Sequence, residues 1–530
     1  MERTDDQRTG LTALNPFWVR ELWIQGRSQR LPMALAALTV VVSILVCAIG
    51  AIASLRQEPA RVGALLYQVF FGTAFAWVTW LGAGIAATSI AAERARAGWD
   101  VLIVSGVPTA SVARGSFLAS LTWVLLCLAM LSPIASVSFL FGGVSPAEIA
   151  AAFVSLAAAA CLAVGFGTAV GAAATTANGA LLVSLPLCAL ASVIFYAGGF
   201  LSSYFASVLW PAVPEGMALW WPTALSRAAI DANYWWLLVV TPFLMFALCA
   251  SFFYEVTLTL LGEPGTDRSS RLRRWFITCG LIVSAASSAL LLAFSTDRTT
   301  GYAIALVMTT AFALFGLYVF AGEELGPSAR VLADWNQRRT NTWRRFCGPG
   351  VVRAMLTLCL LAALGIGSQW LMALSSELRA PSETSTFDLT VLSVCDGYAL
   401  AFICFLAGFV AHTRARSRSG VAPRLLLTFV LLAITIGPWI LASVFGMVDA
   451  FGFGSALLIA SPSPVFVVAL ALTTPENGSL PGSLLLAGLL ASIAWLSAGL
   501  TLLYAAQRRI DRGGQSSRGT GAPPSPGRTL

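Results

Sequence analysis

The sequence contains no lysine and a single histidine, and only 11% of its 530 residues are charged. A soluble domain carries about 25% charged residues. Because this chain has less than half that share, it has too few charges to cover a water-exposed surface. Its 58% hydrophobic content and mean hydropathy of +0.81 indicate a chain solvated largely by lipid. The composition excludes most soluble enzymes and nucleic-acid-binding domains, so the net charge of +8 predicts no nucleic-acid partner.

The absence of lysine also excludes a phosphate-binding loop of the form GxxxxGK[ST], which requires one. The single histidine, His412, and ten cysteines without a CxxC pair give little basis for a metal site. Most of the cysteines fall inside hydrophobic segments, where they are expected to act as small packing residues. We therefore expect a chain that is not an enzyme and binds no cofactor. Any ATP-driven work would place ATP and Mg on a separate polypeptide.

Charged residues occur in clusters separated by long uncharged gaps, and about 20 apolar residues allow a helix to cross a bilayer. The gaps predict thirteen hydrophobic segments in an all-α polytopic membrane protein. Arginine in short loops stays on the cytoplasmic side, and this rule is best satisfied by about twelve transmembrane helices with both termini in the cytoplasm. With that topology, 27 of the 32 arginines are cytoplasmic. The predicted spans are 31–53, 65–90, 116–141, 149–174, 180–203, 234–260, 275–294, 301–320, 354–374, 389–411, 425–446 and 482–505.

The remaining hydrophobic segment, 451–472, contains the sequence Ser-Pro-Ser-Pro at positions 461–464. Proline lacks an amide donor and restricts the residue before it, so it interrupts a helix. We predict an external re-entrant or interfacial hairpin. The alternative is an ordinary thirteenth span, which would place the arginine-rich carboxyl-terminal tail outside.

The pattern predicts four regions. Residues 1–30 are predicted to form a cytoplasmic amino terminus with an interfacial helix, 31–261 a first six-span domain, and 262–505 a second six-span region. Residues 506–530 are predicted to be a disordered cytoplasmic tail. Within the fourth span, rows of small residues that include Gly165, Gly167 and Gly171 predict a helix inside the bundle, because small residues let helix backbones approach closely.

Two stretches carry a family pattern. Residues 15–21 read NPFWVRE and are followed by RSQR at 27–30, and residues 89–108 read SIAAERARAGWDVLIVSGVP. They resemble the membrane-spanning permeases of type-2 ATP-binding-cassette (ABC) exporters. In that family an NP..RE segment precedes span one, and an ER..G..D.L pattern with a small-Pro turn fills the cytoplasmic loop between spans two and three. The resemblance covers about residues 14–260.

The resemblance implies an export permease in the cell (inner) membrane, coupled through this loop to a separate ABC ATPase subunit. It also implies a two-permease pore between spans two and five. The second permease is either another copy of the chain or the second six-span region. In the latter case one chain would form a pseudo-dimer. Trp99 stands where the family commonly has Thr, and Arg114-Gly115-Ser116 replaces a Gly-Lys pair. The implied coupling-loop residues are Glu93, Arg94, Trp99, Asp100 and Arg114, and the amino-terminal motif comprises Asn15, Pro16, Arg20, Glu21 and Arg27.

Other functions remain open at the level of sequence. Asp396 lies about a third of the way into its span and Gln68 lies within span two, so both are candidate intramembrane polar sites. An ion-coupled secondary transporter would use Asp396. A membrane-embedded transferase or a non-transporting scaffold is the third alternative, although no external loop carries the cluster of acids and histidines that transfer chemistry needs. The substrate is not indicated, and an apolar pore lining would suit hydrophobic cargo.

Overall fold

The structure is a computed structural model of the chain. It describes residues 15–27, 30–55, 57–95, 108–209, 239–262, 267, 269–293, 298–337, 345–379, 389–417, 419–448, 457–472 and 482–519. Within these residues the main elements are α-helices, and there is no strand. The fold is all-α, as the sequence predicts. Contacts divide the chain into two compact units, Met1–Glu263 and Pro264–Leu530, close to the boundary drawn from the sequence.

The first unit is built around α3, a 37-residue helix in contact with most other helices of the unit. Its helices are α1 (Pro16–Arg27), α2 (Arg30–Ser54), α3 (Pro59–Ala95), α4 (Thr109–Leu140), α5 (Pro146–Ala173), α6 (Ala177–Leu209) and α7 (Thr241–Leu261). A short turn joins α4 to α5, and its residues Gly142 and Gly143 both have φ of +81°. Ser145 then caps α5 in a capping box with Glu148, so this buried acid serves the helix terminus.

The second unit packs most extensively between α12 and α15. Its helices are α8 (Ser269–Ala293), α9 (Arg298–Phe320), α10 (Ala329–Gln337), α11 (Val351–Arg379), α12 (Leu389–Arg416), α13 (Val421–Val448), α14 (Val465–Leu472) and α15 (Gly482–Gly519). Gly408 of α12 and Gly499 of α15 face each other so closely that a Cβ on Gly408 would lie 2.3 Å from the Gly499 carbonyl oxygen. The missing side chains therefore set the distance between these two helices.

A buried ion pair closes one end of the second unit. Arg273, five residues into α8, is fully buried and donates to Glu323, just after α9, over 2.6 Å. The same guanidinium donates to the carbonyls of Phe346, Gly348 and Gly350, which precede α11. Several oxygens around one arginine supply the partners that a buried cation requires.

Eleven helices within the described residues are long and apolar enough to cross a membrane. They correspond to eleven of the twelve predicted spans, and the chain is a multi-pass membrane protein. The remaining predicted span, 275–294, falls on α8, which is not among the eleven. Three of the first six residues of α8 are arginines, so the apolar part of this helix begins only at Trp275.

The predicted hairpin is interrupted at the Ser-Pro sequence and enters the bundle. The carbonyl of Ser461 accepts a hydrogen bond from Tyr398 of α12, and the fully buried Ser463 donates to the carbonyl of Thr435 on α13. Tyr398 lies nine residues from the start of α12 and Thr435 thirteen from the end of α13, or about 14 and 20 Å along these helices. Irregular backbone at such depth is tolerated only where protein buries it. These contacts favour the re-entrant form of the hairpin over the interfacial one.

The carboxyl-terminal helix is longer than predicted. Helix α15 continues to Gly519, so the predicted disordered tail is corrected for residues 506–519. Gln507 donates to Asp511 across one helical turn, a spacing that supports an exposed helix. Residues 520–530 lie outside the described part of the chain.

The prediction that the fourth span is internal is confirmed. This span is α5, which contacts α3, α4, α6 and α7. A Cβ on Gly167 or Gly171 would lie 2.3 or 2.5 Å from the backbone carbonyls of Ala83 and Ala87 on α3. The glycines therefore let α5 lie directly against the backbone of α3.

Replacing Gly171 by leucine is expected to destabilise the first unit by about 3 kcal/mol, the upper end of the usual cost of overpacking, because the new atoms meet backbone. Gly367→Leu in α11 is the matched control, since a Cβ there meets no atom within 4 Å. Thermal unfolding of the detergent-solubilised chain measures both. Equal unfolding temperatures for the two variants would contradict the close α3–α5 contact.

Candidate functional site

Helix α1 begins at Pro16 with Asn15 as its cap. The side-chain oxygen of Asn15 accepts the amide of Phe17 over 3.0 Å, and proline at the first helical position has no amide to leave unpaired. The Asn15 side-chain nitrogen donates to the carbonyl of Ser111, at the start of α4, over 2.7 Å. The asparagine thus starts α1 and attaches it to α4 with the same side chain.

A second contact attaches α1 to the end of α3. Arg20 forms an ion pair with Glu93 over 2.9 Å. Glu93 is buried, whereas the Arg20 side chain is 44% exposed, so water screens part of the attraction. Arg20 also lies over the Phe17 ring at 5.2 Å. The two sequence motifs, 73 positions apart, meet at this ion pair.

The buried carboxylate of Glu21 joins α1 to both neighbouring helices. Ser89 of α3 donates to it over 2.7 Å, and the hydroxyls of Ser89 and Ser116 of α4 are 3.0 Å apart. Gln25 donates to the same oxygen over 3.1 Å from the next turn of α1. Gly115 leaves room for α1, because a Cβ at that position would lie 2.6 Å from the Cβ of Phe17.

We call this cluster of Asn15, Arg20, Glu21, Ser89, Glu93 and Ser111 the amino-terminal junction. Its place along the chain is its main feature. The coupling loop is predicted over about residues 93–115, so Glu93 lies at its start and Ser111 lies near its end. Helix α1 is therefore bonded near both ends of that loop.

Arg94 attaches the same end of α3 to a further helix. Its guanidinium donates to the carbonyl of Ala172, in the last turn of α5. The final carbonyls of a helix have no partner within it and carry partial negative charge, so an arginine there is favourable. The end of α3 is thereby connected to α1 through Glu93 and to α5 through Arg94.

The structure places two further motif residues, Arg27 and Arg114, away from the junction. Arg27 lies over the Trp23 ring at 4.5 Å on the outer face of α1, where Trp23 is 65% exposed. Arg114 is exposed and donates to the carbonyl of Ala110 in its own helix. Trp99 and Asp100 lie outside the described residues.

Two cavities lie beside α3 and α6, the helices of predicted spans two and five. The first is a cleft of about 690 Å³ next to the junction, lined by residues of α1, α3 and α6 that include Glu21, Gln25, Trp80 and Asn178. The acids Glu21 and Glu93 both border it.

The second cavity, which we call the aromatic pocket, lies further along the same helices and measures about 330 Å³. A hydrogen bond of 2.9 Å between Thr79 of α3 and Ser192 of α6 crosses its wall, and the Cys188 thiol donates to the carbonyl of Thr79. The rest of the lining is apolar. Five aromatic residues contribute to it: Phe75, Phe166, Phe195, Phe246 and Phe253.

The two predicted intramembrane polar residues do not belong to these sites. Gln68 is half-buried on α3, eleven residues before Thr79, and does not line the aromatic pocket. Asp396 belongs to the second unit, where Tyr302 donates to its carboxylate.

Sequence reasoning did not single out Ser111 of the junction, and it also missed two neighbouring features, the space at Gly115 and the Ala172 carbonyl. The departure at Arg114-Gly115-Ser116 was the available signal, since a glycine early in a span can mark the close approach of another helix. No sequence signal identifies a backbone carbonyl as the partner of Arg94.

Comparison of the chain with protein-family models, with curated proteins and with solved structures gave no match. The resemblance to the exporter permeases therefore depends on the two motifs themselves.

Replacing Asn15 by alanine is expected to increase the amide hydrogen exchange of α1 about fivefold, because a lost N-cap costs about 1 kcal/mol. Ser111→Ala is the matched control. It keeps the Ser111 carbonyl that accepts from Asn15 and keeps the cap bond to Phe17. Exchange measured by mass spectrometry distinguishes the two variants, and unchanged exchange in the Asn15 variant would contradict the capping role.

Proposed function

We propose that the chain is the permease subunit of an ATP-driven exporter of the ABC type, with ATP hydrolysis on a separate subunit that docks at the coupling loop, about residues 93–115. The observation that carries this proposal is the amino-terminal junction. A single helix is bonded to Glu93 at the start of the loop and to Ser111 near its end. A force applied to the loop would therefore act on α1, α3 and α4 together.

The connections of α3 support transmission of such a force. Its cytoplasmic end in the predicted topology is bonded to α1 through Glu93 and to α5 through Arg94. Helix α3 also packs along the glycines of α5 and borders the aromatic pocket together with α6. Because these contacts are close-packed, a rigid displacement of α3 would change the walls of the pocket.

The aromatic pocket supports an apolar cargo. Its lining is almost wholly hydrophobic, with Thr79 and Ser192 as a polar pair bonded to each other. An apolar molecule buried there would gain from removal of its surface from water, and the aromatic edges would contribute further contact. The lining supports a cargo path beside α3 and α6, where the resemblance puts the pore.

The experiment is copurification of the full chain with an ABC ATPase, followed by measurement of ATP hydrolysis by the complex. Arg20→Ala and Glu93→Ala are each expected to lower hydrolysis several-fold, since a partly exposed ion pair contributes up to about 1 kcal/mol. The double exchange of Arg20→Glu with Glu93→Arg is expected to restore part of the activity by re-forming the pair.

Arg61→Ala is the matched control, because Arg61 is an exposed arginine near the opposite end of the same helix. The variant is expected to hydrolyse ATP at the wild-type rate. Failure of the wild-type chain to copurify with any ABC ATPase would contradict the proposed function. Unchanged hydrolysis and transport after Arg20→Ala, Glu93→Ala and Arg94→Ala would contradict the coupling role of the junction alone.

A further inference from the structure

Asp396 is an acidic side chain deep within the second unit. It lies seven residues from the start of α12, or about 10 Å along the helix axis, and only 7% of it is exposed. A carboxylate this far inside a bundle is costly unless a cation or several hydrogen-bond donors compensate its charge. What surrounds the carboxyl therefore determines its state.

Within the described residues the carboxyl has one hydrogen-bond partner. The hydroxyl of Tyr302, a fully buried residue of α9, donates to one oxygen of Asp396. The other oxygen, Oδ2, is buried and has no hydrogen-bond partner within the described part of the chain. A single neutral donor does not replace the hydration of a full negative charge.

No arginine or histidine forms an ion pair with Asp396 in the described residues. The titratable groups near it are Tyr302 on α9 and, on its own helix, Cys395 and Tyr398. Two arginines stand at the Asp396 end of helices packed against α12: Arg298 is the first residue of α9, four residues before Tyr302, and Arg379 is the last residue of α11. The other described cations on those helices lie toward the other end of the unit, near the start of α11 and α13 and the end of α15: Arg353, Arg424, Arg508, Arg509 and Arg512. Arg414 and Arg416 stand at the far end of α12, about 27 to 30 Å away along the helix axis.

The carboxyl also has little freedom to reach the interface. The neighbouring Cys395 contacts the Val467 carbonyl on α14, and Tyr398 is hydrogen-bonded to Ser461 of the re-entrant turn and to Trp495 of α15. These contacts hold α12 from two further sides at the level of Asp396. Reorientation toward water would require this packing to open.

We propose that Asp396 is a proton-binding site of the second unit, with the proton on Oδ2 while Oδ1 accepts the hydrogen bond from Tyr302. A proton fits this site better than a metal cation does. Ca²⁺ or a similar hard ion requires about six oxygen ligands, whereas the described residues around Asp396 offer its carboxyl and the phenol of Tyr302. This proposal is independent of the exporter function, since it concerns the other unit and no residue of the amino-terminal junction.

The test uses the full chain reconstituted in lipid nanodiscs and infrared spectroscopy of the carboxylic-acid C=O stretch, which a carboxylate lacks. At neutral pH the wild type is expected to show a protonated-carboxyl band that is lost in Asp396→Asn. Tyr302→Phe is expected to retain the band at a higher frequency, because the acid remains but loses one hydrogen bond. That shift separates a site made by the two residues from general damage to the fold.

A second readout is the pH dependence of thermal unfolding in the same nanodiscs. A proton bound only in the folded state stabilises the protein at low pH, and this contribution disappears as the pH rises and the carboxyl ionises. The wild type is therefore expected to lose unfolding temperature on going to alkaline pH by more than Asp396→Asn does. The proposal is overturned if the wild type has no Asp396-dependent band at neutral pH, or if the band disappears when sodium replaces choline at constant ionic strength.

Discussion

A lipid bilayer offers no hydrogen-bond partner to a backbone amide or to a charged side chain, and the described polar contacts of this chain follow from that constraint. The turn of the re-entrant hairpin is hydrogen-bonded to Tyr398 of α12 and to the carbonyl of Thr435 on α13. Arg273 is surrounded by Glu323 and three carbonyls. One oxygen of Asp396 lacks such a partner within the described residues. The neutral carboxylic acid therefore has a lower free energy there than the carboxylate, and this is the basis of the proposed proton site.

In each unit an arginine near the beginning of the unit forms an ion pair with a glutamate at or just after the end of a later helix. Each arginine precedes the apolar part of the first hydrophobic helix of its unit. In the first unit the pair is Arg20 and Glu93, and in the second it is Arg273 and Glu323. The first pair is partly exposed, whereas the second is buried and surrounded by the carbonyls of the following segment. A partly exposed pair is weak and can open at small cost, while breaking a buried pair leaves an uncompensated charge. This difference fits a movable connection in the first unit and a fixed one in the second.

The proposed coupling and the proposed proton site divide the chain by physical character. The first unit contains the amino-terminal junction, the open cleft and the aromatic pocket along α3 and α6. The second contains the re-entrant turn and Asp396 with its unpartnered oxygen. The two sets of variants, at Arg20 and Glu93 and at Asp396, address the units separately.

Composition and charge spacing alone predicted the fold class, eleven of the spans, the break in segment 451–472 and the internal position of the fourth span. They did so because burial in lipid acts on every residue of a span, and its requirements are therefore visible in the linear sequence. The motifs around Asn15 and Glu93 were also visible in the sequence, but the contact between them in the folded chain was not. The ion pair across 73 positions, the Arg94 contact with a backbone carbonyl and the orphaned oxygen of Asp396 depend on which helices lie side by side. Only the tertiary structure decides that, because the partners are distant in sequence and several of them are backbone atoms that no residue type identifies.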